Sequence, residues 1–383
     1  MDVRARFTLG ALLGAALCAG CTGTHLQGNA FSEDSTRQPS WDLVDVEWQL
    51  GLVERPILEY APTEVAAPAV EQETGRVVVV TRDGFVRGIS PEGIVVWTFK
   101  TRGPFSAGPS IYEGVAYVPG GDGTLYALDV KNGSVRWTFA ASQELATPPV
   151  LVGGRLYFAS HNDTVYALEA SSGTWKWQYR RDPPAGFTVR GMSTPRVKDG
   201  LVYAGFSDGS VVALKAEDGA VRWERVLSSS GSEFLDADGG PVLDDEGQLY
   251  VASYRDGIYA LDAASGEVRW HTPRDGVTSL VRRPGVIYAA GERGVGAFLQ
   301  DSGRQVWTLP LGESAARLPV PSHKMLVVPI NQALLFVDPL RGKTELAWDP
   351  GAGVSAPPAP WGRRLYVLSN TGFLYALKLK GGA

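Results

Sequence analysis

The sequence predicts an all-β fold, an eight-bladed β-propeller closed by its own N-terminal strand, on three observations. A tryptophan returns about every 40 residues, a glycine stands four residues ahead of it in six of the seven units, and a lone Trp-bearing strand near the N-terminus matches one that the C-terminus lacks. The composition agrees: 44% hydrophobic and 20% charged residues with 46 Gly, 25 Pro and 11 Trp describe a turn-rich, aromatic body too apolar for disorder.

The chain opens on a different kind of segment. Arg4 and Arg6 precede an apolar run from Phe7 to Ala19, too short to span a bilayer, so residues 1–20 are expected to be a signal peptide. The end of that segment, Leu17-Cys18-Ala19-Gly20-Cys21, resembles a bacterial lipobox, with Cys18 where leucine is usual. The resemblance implies lipidation at Cys21; the alternative is an ordinary cleaved signal with an incidental cysteine. Residues 21–43 then read as a lipidated Cys and a polar, non-periodic tether, with a random-coil reach of roughly 20 to 25 Å. Thr22 after the cysteine, by resemblance to bacterial lipoproteins, implies the periplasmic face of the outer membrane.

Residues 44–380 carry the repeat and are expected to form one domain. Trp97, Trp137, Trp177, Trp223, Trp270, Trp307 and Trp348 follow at steps of 40, 40, 46, 47, 37 and 41. Each unit holds an alternating strand such as Val115-Ala116-Tyr117-Val118, an Asp-Gly turn, and a strand such as Leu125-Tyr126-Ala127-Leu128-Asp129. A second turn, Asn132-Gly133, leads to Val135-Arg136-Trp137. Asp-Gly and Asn-Gly supply the positive φ angles of tight hairpins. Pro-bearing stretches (Pro109, Pro148-Pro149, Pro195, Pro241) precede the hairpins, as suits a first, inner strand.

Four antiparallel strands at this period make a propeller blade, which buries its two faces only against neighbours. After Trp348 the chain supplies three strands and stops before the fourth, while Val46-Glu47-Trp48 copies Val135-Arg136-Trp137. Eight blades follow, the last closed by the N-terminal strand; seven blades with a stray strand is the competing count.

The Tyr126-Ala127-Leu128-Asp129 and Tyr259-Ala260-Leu261-Asp262 patterns resemble the PQQ-like repeats of quinoprotein-type propellers. The two long steps carry insertions whose sequences resemble loops of the BamB family of outer-membrane assembly lipoproteins. These are Phe187-Thr188-Val189-Arg190-Gly191-Met192-Ser193-Thr194-Pro195 and Phe234-Leu235-Asp236-Ala237-Asp238-Gly239-Gly240-Pro241. That resemblance implies a non-enzymatic scaffold of the outer-membrane β-barrel assembly machinery, monomeric within a complex. Its partner would be the POTRA domains of a BamA-like subunit, reached through Phe187, Val189, Arg190, Asp236 and Asp238. Phe187 and Val189 stand where the family usually has leucine. Read as residues alone, Arg190 is a surface arginine or an internal partner of Asp236 or Asp238, and the two acids are a solvated turn.

Other chemistries find little in the sequence. Cys18 and Cys21 are the only cysteines, so the body has no disulfide, and no cofactor is expected. Without residues 1–20 the chain carries 34 basic against 40 acidic residues, a balance that disfavours nucleic acid and electrostatic membrane binding. The four histidines lie in separate regions without ligand spacing, and Asp236-Ala237-Asp238 lacks the later positions of an EF-hand loop. Gly205-Phe206-Ser207-Asp208-Gly209 matches G-x-S-x-G, but a strand follows where a nucleophile elbow needs a helix. An envelope propeller with another protein or glycan partner and a quinone-dependent dehydrogenase are the alternatives.

Overall fold

The computed structural model describes the backbone of residues 25–27 and residues 43–54, 62–141, 143–182, 192–227, 237 and 239–380. Within them the chain forms eight antiparallel sheets in a ring. Blade 1 runs Ala69–Val70, Val77–Val80, Phe85–Ile89 and Val95–Lys100, and blades 2 to 7 repeat that order. Blade 8 takes Ala359–Trp361, Arg364–Leu368 and Phe373–Leu379 from the C-terminus and its outer strand, Val44–Gly51, from the N-terminus. The count of eight, closed by the N-terminal strand, therefore holds.

Except in blade 6, the innermost strand is a short one, and prolines 109, 149, 195 and 241 stand immediately before such strands, where a missing N–H interrupts no ladder. There is no single core. Eight apolar layers alternate with the blades, one at every interface; Tyr203, Val211 and Ala213 of blade 4, for instance, meet Leu249, Val251 and Leu261 of blade 5. A blade taken alone would leave both faces wet, so the ring is stable as a whole. The inner strands of blades 3 to 7 line an open pocket of about 600 Å³, into whose wall Arg196 is set.

The repeat tryptophans join blade to blade by one recurring contact. Trp137 packs opposite the small Ala127 on its own sheet, and its Nε1 donates to the carbonyl of Ala170 in blade 3 at 3.0 Å. Its ring also lies on the turn glycine of that blade: a Cβ on Gly173, φ +71°, would stand 2.5 Å from Trp137. Glycine is required there twice over, for the turn and for the indole. Trp48, Trp97, Trp177, Trp223, Trp270 and Trp307 make the same hydrogen bond, to Pro91, Val130, Ala216, Ala263, Gln300 and Pro339.

Blade 7 departs from the sequence reading. Trp348 does not hold the repeat position; Leu346 does, opposite Phe336 where the other blades have Ala or Gly. The large and small residues have exchanged strands, which conserves volume at the site. The interface beyond it lacks a turn, because blade 8's third and fourth strands come from opposite ends of the chain. Its equivalent carbonyl, of Leu379, accepts instead from Arg363 Nε at 3.1 Å. Trp348 is wholly buried two residues on, edge-to-face with Tyr375.

Candidate functional site

The site residues expected from the sequence, Phe187, Val189, Arg190, Asp236 and Asp238, lie outside the described residues, as does Cys21. What the structure gives is the frame from which both insertions spring. The first leaves blade 3 after the outer strand Trp175–Arg180 and returns at Met192; the second leaves blade 4 after Val221–Val226 and reaches Ala237.

At the departure of the first insertion, Arg181 is held on every side. Its Nε and Nη2 donate to one oxygen of Asp208 at 2.8 and 2.6 Å, Nη2 also to Glu224 at 2.9 Å, and Nη1 to the Tyr179 hydroxyl at 3.3 Å. The guanidinium covers the Phe206 ring, 5.7 Å from its centre. Burial alone would depress the pKa of Arg181, but Glu224 and Asp208 outweigh it and raise the value. The cluster ties blade 3 to the Asp208 turn and the outer strand of blade 4.

Beneath it lies Asp163, 3% exposed, in the left-handed region at φ +55°. Its carboxylate accepts from the backbone N–H of Ser207 at 3.2 Å and from the Ser207 hydroxyl. Burial raises the Asp163 pKa, with the Ser207 hydrogen bonds opposing. The hydroxyl of the G-x-S-x-G string is therefore engaged by a carboxylate inside a hairpin turn, with the strand Ser210–Lys215 following.

The returning ends of the two insertions meet at one residue. Ser193, buried, accepts the Gly205 N–H through Oγ at 2.8 Å. Ala237, 1% exposed, donates its N–H to the Phe206 carbonyl at 3.1 Å, and its own carbonyl would lie 2.0 Å from a Cβ on Gly205. Gly205 is thus required by close approach, the two insertions being pinned on either side of it. Asp236 and Asp238 flank Ala237 in sequence, as Arg190 lies two residues before Met192.

Sequence reasoning missed Arg181, Glu224 and Gly205. A signal for the glycine exists in the register: two places beyond the second-strand residue that pairs with the cross-strand Ala, Gly or Phe stand Val80, Pro119, Ala159, Ala252, Ala290, Pro329 or Leu368 in the other blades. Only blade 4 has no side chain there. Elsewhere, His161 faces Glu144, His271 stacks on Tyr259 at 4.1 Å and His323 occupies a turn, in three different blades. Among the described residues no three His, Cys, Asp or Glu side chains are grouped to hold a cation.

The model of the family described as outer membrane protein assembly factor BamB matches residues 82–295, from blade 1 into blade 6 and across both insertions. A relative of that name from Legionella pneumophila (strain Paris) is 26% identical over 203 residues, 50% of this chain and 52% of its own length. One from Alkalilimnicola ehrlichii is 30% identical over 204 residues, with the same shares covered. The chain spans about half the length of the curated relatives it matches. Among solved structures, BamB from Moraxella catarrhalis superposes with a TM-score of 0.75 at 22% identity, covering 88% of this chain and 100% of that one. The quinohemoprotein alcohol dehydrogenase of Comamonas testosteroni reaches 0.72 at 14% identity, covering 89% and 77%; both likenesses speak for the fold. With the family model matched over more than half its length, the chain belongs to the family of outer membrane protein assembly factor BamB.

Proposed function

We propose that this protein is a non-enzymatic scaffold of the outer-membrane β-barrel assembly machinery, lipid-anchored through Cys21 on the periplasmic face of the outer membrane. Its partner surface is the pair of insertions after blades 3 and 4, which receives a POTRA-type domain of a BamA-like subunit. Phe187 and Val189 contribute apolar contact, Arg190 a charged anchor, and Asp236 and Asp238 the complementary charges that set register. The observation that carries this reading is the convergence of Ser193 and Ala237 on Gly205, which makes neighbours of the two insertion ends. A loop pair held so by a rigid sheet is where binding residues are expected.

Arg190→Glu, and separately Asp236→Lys with Asp238→Lys, should weaken co-purification of the BamA-like subunit from membranes while leaving the melting temperature near wild type. Loss of stability in these variants would assign Arg190 to an internal pair with the two acids instead.

A further inference from the structure

We infer that residues 25–27 dock as a fifth, outermost strand on blade 7, so that the lipid-bearing N-terminus is tied to the edge of the ring opposite the two insertions. The backbone pairs antiparallel, His25 with Asp349, Leu26 with Trp348 and Gln27 with Ala347. This membrane consequence rests on the Cys21 reading proposed above; the docking does not.

Blade 7 is built to be covered. In the other blades the residue after the repeat tryptophan is polar and exposed, as at Thr98, Gln178 and Glu224. Blade 7 has Ala347 there, 2% exposed, between Leu346 and Trp348, both wholly buried. An unpaired edge strand is normally kept soluble by polar or charged residues, and an apolar one calls for a partner. A short extended segment satisfies it by adding to the sheet, with main-chain hydrogen bonds along the edge.

The consequence is geometric. Four residue steps separate Cys21 from His25, a reach of at most about 14 Å, whereas a free tether would run to Val44. The propeller therefore stands edge-on at blades 7 and 8. In an eight-membered ring blade 3 lies across from blade 7, so the connections after blades 3 and 4, from which the insertions spring, are held most of a diameter away from the anchor.

A paired-cysteine experiment on the full-length protein tests this. Gln27→Cys with Ala347→Cys places thiols on directly opposed residues, within the Cα separation a disulfide accepts. Gln27→Cys with Thr308→Cys, the matching position in blade 6, is the control. Mild oxidation and peptide mapping should find positions 27 and 347 joined in most molecules and 27 and 308 in very few. Hydrogen exchange should show the Leu346–Asp349 amides protected well beyond those of Thr138–Ala140. Equal cross-linking in both pairs, or equal exchange in both segments, overturns the docking. Selective cross-linking in a chain whose N-terminal peptide carries no acyl group at Cys21 keeps the docking and overturns the edge-on anchoring.

Discussion

The indole N–H of Trp48 donates to the carbonyl of Pro91 at 2.9 Å, and this one bond spans the seam of the ring. Trp48 belongs to the N-terminal strand of blade 8 and Pro91 to the turn of blade 1, with Gly93 beneath the indole. Tyr366, from the C-terminal part of blade 8, packs beside the same ring at 5.8 Å. Three distant stretches of chain are thereby locked at a blade assembled from both ends.

Trp48→Ala should cost about 3 kcal/mol, since a partly buried indole, its cavity and its hydrogen bond are all lost. Trp48→Phe keeps most of the packing and should cost about 1 kcal/mol. Urea denaturation measures both, and a midpoint unchanged by the alanine variant contradicts closure through this strand.

The exchange of sizes in blade 7 predicts a coupled pair. Leu346→Trp alone overpacks against Phe336 and should destabilise by about 1 to 3 kcal/mol. Adding Phe336→Ala restores the Trp-opposite-Ala arrangement of the other blades and should recover part of that loss. A double-mutant cycle by chemical denaturation reads the coupling; strict additivity contradicts the packing account.

Gly205→Ala forces a Cβ against the Ala237 carbonyl, which the backbone must relieve by moving. A loss of about 1 to 3 kcal/mol is expected, together with faster proteolysis at residues 228–238. Ala290→Gly, at the equivalent place in blade 6, should leave proteolysis there unchanged.

Glu64 gives the ring a pH dependence. Its carboxyl is 3% exposed, and burial pushes its pKa from 4.5 up to about 7, although Arg82 opposes the shift from 2.6 Å. The folded state thus keeps a proton that the unfolded state releases. The stability from this group is full below about pH 4.5 and is lost as pH rises through about 7. The span corresponds to at most roughly 3 kcal/mol. Glu64→Gln should flatten the melting profile over that window; an unchanged slope contradicts the assignment.

Much of the fold was legible because the repeat writes the same contacts many times. Trp, turn Gly and cross-strand Ala recur in register, and the vacant strand position at the C-terminus points to Trp48. Blade 7 was misread because its tryptophan, Trp348, is a packing residue two places beyond the repeat, while Phe336 and Leu346 fill the usual space from the other side. The insertions were legible as extra length, but their frame was not. Arg181 meets Asp208 and Glu224 from sequence separations of 27 and 43 residues, and only closure of two blades brings them together.

Docking through the two insertions is open to direct test by a binding titration. Purified protein would be titrated against the isolated POTRA domains of a BamA-like subunit, with Arg190→Glu and the Asp236→Lys, Asp238→Lys double variant alongside. Loss of a well-packed arginine anchor corresponds to roughly 2 kcal/mol, about a thirtyfold weakening. The expected result is that weakening in both variants with unchanged melting temperatures; wild-type affinity in both contradicts the claim.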